Sequence, residues 1–290
     1  MSATDLFRPV SSVLQAVRGA IDAGEAPELW PAGPGELGRF ELGPGLVTLL
    51  GGAPGSGKTA FALQATVDIL RTQTAERALV ANVEMSAEAL LERQLSRLSG
   101  VALDRIRRRA LEPGDLDPFE RAVDTLEELG DRLGFMVGPF TTKRLADAAE
   151  ALGARLLVVD YVQRFRASDV AREPRQAVTE VMDDLRKLTN AGAAVLVLSA
   201  LARTRGSRGS SYDGADPLAG FRDSSELEFG ADEAYVLERA TEETGSLAIL
   251  KHGKCRHGEL RDLVLRFDGA RQAFEVPMLP ELARATVGAP

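Results

Sequence analysis

From residue 46 onward the chain alternates between short apolar runs and longer stretches whose apolar residues recur every three to four positions. "LVTLL" (46–50), "ALVAN" (78–82), "FMV" (135–137), "RLLVVD" (155–160) and "AVLVLS" (194–199) read as buried strands. Between them, "KTAFALQATVDIL" (58–70) and "SAEALLERQLSRLSG" (86–100) read as amphipathic helices, the second with a serine cap and Glu88 in its first turn. A charged helical stretch continues to about residue 130. Strand and helix in alternation predict a parallel sheet covered by helices. Near the C-terminus the spacing tightens: "EAYVLE", "SLAILK", "RDLVLRF" and "AFEV" are joined by turns and predict mainly antiparallel strands that finish the sheet. At the other end, Val13, Leu14, Val17 and Ile21 form a helical stripe stopped by Gly24 and Pro27, followed by the turn-rich "WPAGPGELGRFELGPG". Three regions result: an arm with a helix over 1–27, an α/β domain over 28–278 and a flexible tail over 279–290.

Composition narrows the classes. A chain of 290 residues with 44% hydrophobic and 27% charged residues can bury a full core. The net charge of −8 argues against a uniformly basic nucleic-acid coat but leaves room for a locally basic channel. One cysteine excludes an intramolecular disulfide framework and suits a reducing cytoplasm. No apolar run reaches the length of a membrane span, and the N-terminus shows no basic region followed by an apolar core, so neither span nor signal peptide is expected.

The chemistry begins at "GGAPGSGKT". Gly52 to Thr59 satisfies G-x-x-x-x-G-K-[ST] between a predicted strand and a predicted helix. Gly52, Gly55, Ser56 and Gly57 are expected to turn backbone N–H groups inward around phosphates, with the positive end of the helix behind them. Lys58 is expected to reach the β- and γ-phosphates of ATP, and Thr59 to ligand Mg²⁺. Asp160 ends an apolar strand and is the expected second holder of Mg²⁺, a helix cap being the plainer role for it. Glu84 follows the next strand, so parallel-sheet geometry brings it to the same edge. A carboxylate there can orient and deprotonate water; a surface acid before a helix is the alternative.

With these residues in hand, the chain resembles the C-terminal motor domain of DnaB-type replicative helicases, a RecA-fold family, from about Glu28 to Val276. "GGAPGSGKTAFALQ" matches its phosphate loop, and "VEMSAEALLERQLS" is similar to its Glu-Met-Ser segment. "LLVVDYVQ", "VLVLSALAR", "FRDSSELEFGADEAYVL" and "KCRHG" resemble the segments that follow, in order. The resemblance implies a RecA-like P-loop ATPase with a mainly parallel central sheet flanked by helices and C-terminal antiparallel strands. It implies ATP hydrolysis at subunit interfaces of a hexameric ring, with Lys254 and Arg256 entering the neighbouring site, and gives Lys58, Thr59, Glu84 and Asp160 the roles already read from them. The helix of the arm resembles a linker that packs on the next subunit, and replication proteins are the implied partners. The family's separate N-terminal domain lies outside the matched segment. Two positions depart from the pattern: Ala200 and Phe229 stand where the family carries glutamines, which puts coupling of hydrolysis to strand movement in question.

Two arginine-rich segments follow strand ends: "QRFRASDVAREPR", with Arg164, Arg166, Arg172 and Arg175, and "ARTRGSRGSSYDG", with Arg203, Arg205 and Arg208. In a ring they would face the channel and suit the phosphates of single-stranded DNA; solvated loops are the alternative. "DRIRRRALEP" (104–113) reads as a solvated helix face. "KHGKCRHG" (251–258) holds every cysteine and histidine of the chain. In an extended strand, alternation puts Cys255 and His257 on one side and His252, Lys254 and Arg256 on the other, which splits metal ligands and groups cations. Three functions remain open: a DNA helicase or translocase, an ATPase switch of the same fold that binds DNA or a protein without unwinding, and another RecA-fold ATPase such as a recombinase-like filament.

Overall fold

Apolar runs with no polar alternation become strands buried on both faces. The computed structural model of the protein describes residues 7–167, 174–201, 204–206, 209–211, 225–239 and 246–277. The chain opens with α1 (Val10–Ala23) and the small ribbon of β1 (Trp30–Pro31) and β2 (Glu41–Leu42). Then come β3 (Val47–Gly52), α2 (Lys58–Thr72), β4 (Ala78–Asn82), α3 (Ala87–Ser99), α4 (Leu103–Arg107), α5 (Pro113–Glu127), β5 (Leu133–Phe135), α6 (Thr142–Leu152) and β6 (Leu156–Asp160). After these follow α7 (Pro174–Asn190), β7 (Ala194–Ala200), the hairpin strands β8 (Thr204–Gly206) and β9 (Gly209–Ser211), and α8 (Ser225–Gly230). The last strands are β10 (Glu233–Arg239), β11 (Leu247–Cys255), β12 (Leu263–Asp268) and β13 (Ala273–Glu275).

Nine strands form one sheet in the order β13-β12-β11-β10-β3-β7-β6-β4-β5. From β10 to β5 every pairing is parallel; from β10 outward to β13 every pairing is antiparallel. β10 therefore joins both halves, beside β3 on one edge and β11 on the other. Alternate strand residues face two apolar layers. Leu50, Val80, Val158 and Leu196 pack with Phe61, Ile69 and Leu70 of α2 and with Trp30, Phe40 and Phe274. Leu49, Leu79, Leu157 and Val195 pack with Leu145 of α6 and Val181 and Leu185 of α7.

The charged helical stretch after α3 breaks into two helices, α4 and α5. Pro113 starts α5 at a position that needs no N–H, and Glu112 and Asp115 cap it reciprocally. Three of the four arginines of 104–113 lie in ion pairs: Arg105 with Glu112 and Asp115, Arg108 with Asp104, Arg109 with Glu92. The segment is solvent-facing at 107–110, but it is not one helix face: α4 ends at Arg107 and buries Ile106. α1 ends at Gly24, whose φ of 68° closes the helix, and none of its residues is buried. Val10, Leu14 and Ile21 are largely exposed. The expected tail over 279–290 lies outside the described residues. Among the described residues no helix is long and apolar enough to cross a membrane.

Candidate nucleotide-binding site

Parallel pairing brings the ends of β3, β4, β6 and β7 to one edge: Gly52 lies opposite Ala200, and Asn82 opposite Asp160. The phosphate loop leaves β3 at this edge. Its turn needs left-handed backbone at Gly55 (φ 78°) and Gly57 (φ 101°). Gly57 is also tightly backed, since a Cβ there would lie 2.9 Å from the Phe274 ring. Gly57 caps α2 without any side-chain hydrogen bond, so the first-turn N–H groups of a 15-residue helix are left for an anion. Ser56 Oγ is buried with no hydrogen-bond partner. Lys58 folds back on the loop and donates to the carbonyls of Gly52 at 2.8 Å and Ala53 at 2.9 Å. Burial pulls its pKa below the ordinary lysine value, against the opposing charges of Asp160 and Glu84. A half-buried ammonium bonded to neutral carbonyls, an orphaned serine hydroxyl and an uncapped helix suit a phosphate chain.

Asp160 closes the other side and is only 6% exposed. Its Oδ2 accepts from Thr59 Oγ1 at 2.7 Å and from Asn82 Nδ2 at 2.6 Å. Burial raises its pKa, and this outweighs the Thr59 hydrogen bond and the charges of Lys58 and Arg93. A carboxylate touching the loop threonine is a fitting donor pair for Mg²⁺. Glu84 is exposed just beyond β4. Asn82 Oδ1 fixes this turn by accepting from the N–H groups of Glu84 (2.9 Å) and Met85 (2.7 Å). Asn82 thus ties Glu84 to Asp160, a role the sequence motifs do not reveal. Arg93 on α3 is a second addition: half-buried, it donates to Gln272 Oε1 at 3.0 Å and lies near enough to Asp160 to act on its charge. Gln163 reaches the end of β7, donating to Ser199 Oγ at 2.8 Å and to the carbonyl of Ala200 at 3.2 Å.

Lys254 and Arg256 sit at the opposite edge. β11 runs antiparallel to β10, and Glu233, the first residue of β10, pairs with both Cys255 and Thr48 near the start of β3. Lys254 Nζ donates to the carbonyl of Glu228 at 2.5 Å. Arg256 donates to Asp232 Oδ1 at 3.0 Å and to the carbonyl of Phe229 at 2.9 Å. Asp232 is a buried junction that also accepts from Val47 N–H and from Arg186. Burial raises its pKa, but the Arg186 hydrogen bond, the Val47 N–H and the two guanidinium charges prevail and hold it below the ordinary value. Phe229 is 68% exposed.

One expectation fails in β11. Strict alternation separates His252 from Cys255; in the structure both meet the Glu233 carboxylate. The register explains it. Tyr235 pairs with His252 while Ala234 pairs with Lys254, so Gly253 bulges out and the pleat changes phase. Of the arginines expected to meet DNA, Arg164 and Arg166 are exposed just past β6, at the phosphate-loop edge. Arg164 also bonds to the Tyr161 hydroxyl at 2.8 Å. Arg203 and Arg208 lie outside the described residues, as does Arg172; only the backbone of Arg205, in β8, and of Arg175, in α7, is described.

Strand, phosphate loop and helix, facing a buried strand-end aspartate that bonds the loop threonine, define a P-loop nucleotide-binding protein of RecA-like fold. The profile of the DnaB-like helicase C terminal domain matches residues 41–276, and the chain belongs to that family. It is 29% identical over 251 residues to the "Probable plasmid replicative DNA helicase" of Chlamydia psittaci, covering 81% of this chain and 52% of that protein. To the "Replicative DNA helicase DnaB" of Geobacillus stearothermophilus it is 29% identical over 217 residues, 72% of this chain and 47% of that one. The chain thus spans about half the length of the curated relatives it matches. Among solved structures, one described as an ATPase domain superposes with a TM-score of 0.80 at 19% identity, covering 94% of this chain and 100% of that one. "The Structure Of A DnaB-Like Replicative Helicase And Its Interactions With Primase" gives 0.78 at 19%, covering 93% and 67%. At these identities the superpositions speak for the fold.

Proposed function

We infer that the protein is the ATPase motor of a DnaB-type DNA helicase or single-stranded DNA translocase. The observation that carries this is one edge of the sheet: Lys58 and an uncapped helix end face Asp160, which Thr59 and Asn82 hold from two sides. Lys58 exchanges its carbonyl partners for the β- and γ-phosphates of ATP, and the N–H groups around Gly55, Ser56 and Gly57 take the remaining oxygens. Thr59 and Asp160 would hold Mg²⁺, which would neutralise phosphate charge when bound. Glu84, set by Asn82, orients the attacking water and takes its proton. Lys254 and Arg256 serve the site of the next subunit in a hexameric ring, and α1 lays its exposed apolar stripe on that neighbour. Residues 28–278 then form the motor, 1–27 the arm and 279–290 the tail. Arg164, Arg166, Arg203, Arg205 and Arg208 meet single-stranded DNA. The lone cysteine fits a cytoplasmic setting. A replication protein such as the primase named with the structural neighbour belongs to this reading.

A second reading, an ATPase switch that binds DNA or a protein without unwinding, is favoured by Ala200. It is exposed at the end of β7, and its methyl side chain cannot hydrogen-bond a phosphate. ATPase rates with and without single-stranded DNA, run beside a fork-unwinding assay, separate the two. Stimulation with unwinding is the expected result. Stimulation without unwinding selects the switch, and hydrolysis indifferent to DNA removes the motor.

A further inference from the structure

The bulge at Gly253 assembles three metal-ligating groups away from the nucleotide site. Glu233, Tyr235, His252 and Cys255 share one face of the β10–β11 ribbon. His252 Nε2 lies 2.6 Å from one carboxylate oxygen of Glu233, and Cys255 Sγ lies 3.2 Å from the other. The ligand atoms of all three lie within 4.8 Å of one another. Tyr235 stacks on the imidazole at 4.1 Å and fixes its plane. Glu41 and His257 line the same cavity of about 380 Å³, open to solvent.

We propose that Glu233, His252 and Cys255 form a binding site for a zinc-class divalent cation, with its fourth position open toward Glu41 and His257. A thiolate, an imidazole and one carboxylate suit a borderline-soft, tetrahedral ion, whereas Mg²⁺ and Ca²⁺ take all-oxygen sets. Ligand bonds of about 2.0–2.3 Å require the His252–Glu233 contact to open by roughly 0.7 Å. Loading releases the Cys255 thiol proton to solvent. His252 must present Nε2 as a lone pair, so its proton moves to Nδ1. In the metal-free protein Nδ1 accepts from the Arg261 N–H at 3.2 Å, and that contact is given up on loading. Residues 256–261 are exposed, so water replaces it. The site stands on the strand that carries Lys254 and adjoins Asp232, which holds Arg256. Tightening of that basic pair by the cation rests on the ATPase reading; the binding site itself does not.

The test uses the full tag-free chain, stripped of metal and titrated with zinc against a chromophoric chelator. About one zinc per chain is expected, with cobalt giving a thiolate-to-metal absorption band. H252Q and E233Q should weaken the cobalt band, and C255S, H252Q and E233Q should each lose the zinc. K58A should keep it, which separates this site from the phosphate loop. Zinc should also slow alkylation of Cys255 in the unmutated chain, a readout that needs no substitution. Zinc content unchanged in C255S, or alkylation indifferent to zinc, overturns the proposal whatever the ATPase rate. So does binding too weak to compete with the chelator, or retention of the zinc in H252Q and E233Q, which would mark an adventitious ion only.

Discussion

Lys58 is the residue on which hydrolysis should turn most sharply. Its half-buried ammonium rests against two carbonyl oxygens at 2.8 and 2.9 Å, neither of which neutralises it. Phosphate is the better partner, and removing the amine removes charge stabilisation that nothing else in the loop supplies. K58A should lower ATP turnover by about 100-fold or more, measured as steady-state phosphate release. A rate close to that of the unmutated chain would refute the phosphate-loop assignment. Asp232 offers a test through pH. Its folded pKa lies below the unfolded value, so its contribution is complete above about 3.9 and is lost as pH falls through the folded value. In D232N the acid limb of melting temperature against pH should be shallower than in the unmutated chain. An identical limb in both would show that the Arg186 and Arg256 contacts add no charge-dependent stability. Lys58, Thr59 and Asp160 were legible because a fixed glycine-to-lysine spacing and an apolar strand ending in an acid carry their own chemistry. Asn82 and Asp232 were not, because an asparagine or aspartate beside a strand has no spacing of its own. Their roles come from partners 78 and 185 residues distant in sequence.

Elements were legible wherever one period dominated. β3, β4 and β6 are buried throughout and mostly apolar, with Asn82 and Asp160 only at their ends, so the parallel core followed from the runs themselves. β11 defeated that reasoning, because a period of two cannot show one extra residue. Gly253 is the only local hint, and a glycine in a strand signals a bulge without saying which side chains it realigns. β13 shows the same limit at the phosphate loop. Its edge is satisfied by a helix side chain: Gln64 of α2 donates to the Phe274 carbonyl and accepts from the Phe274 N–H, both at 2.8 Å. The Phe274 ring meanwhile packs edge-on against Phe61 and backs Gly57. Gln64→Leu should leave two buried backbone groups unpaired, at about 1–3 kcal/mol each. It should also loosen the wall behind the loop and weaken nucleotide affinity. Urea melts and titration with a fluorescent ATP analogue check both effects, and an unchanged midpoint with unchanged affinity would rule out the clamp.

For the whole molecule, the decisive fact is that the two halves of the proposed machinery lie at opposite ends of β3. Lys254 and Arg256 flank the residue paired to the start of β10, beside Thr48, while the loop leaves at Gly52. Four to five residues of strand separate them, roughly 15 Å, which is beyond the reach of an arginine side chain. The basic pair therefore cannot serve its own loop without moving the strand, and its use in hydrolysis needs a second copy. α1, with its apolar stripe uncovered, points to the same need. A head-to-tail interface gives each site a loop from one chain and a basic pair from the next. This predicts complementation between two dead variants. K58A and R256A should each be inactive alone. In a mixed assembly, every interface that joins the loop of an R256A chain to the basic pair of a K58A chain is intact. At equal proportions about a quarter of interfaces qualify, so ATP hydrolysis should rise well above the sum of the two separate preparations. Native mass spectrometry of the mixture confirms that the chains have exchanged. No recovery in assemblies shown to be mixed would place Arg256 outside the neighbouring site.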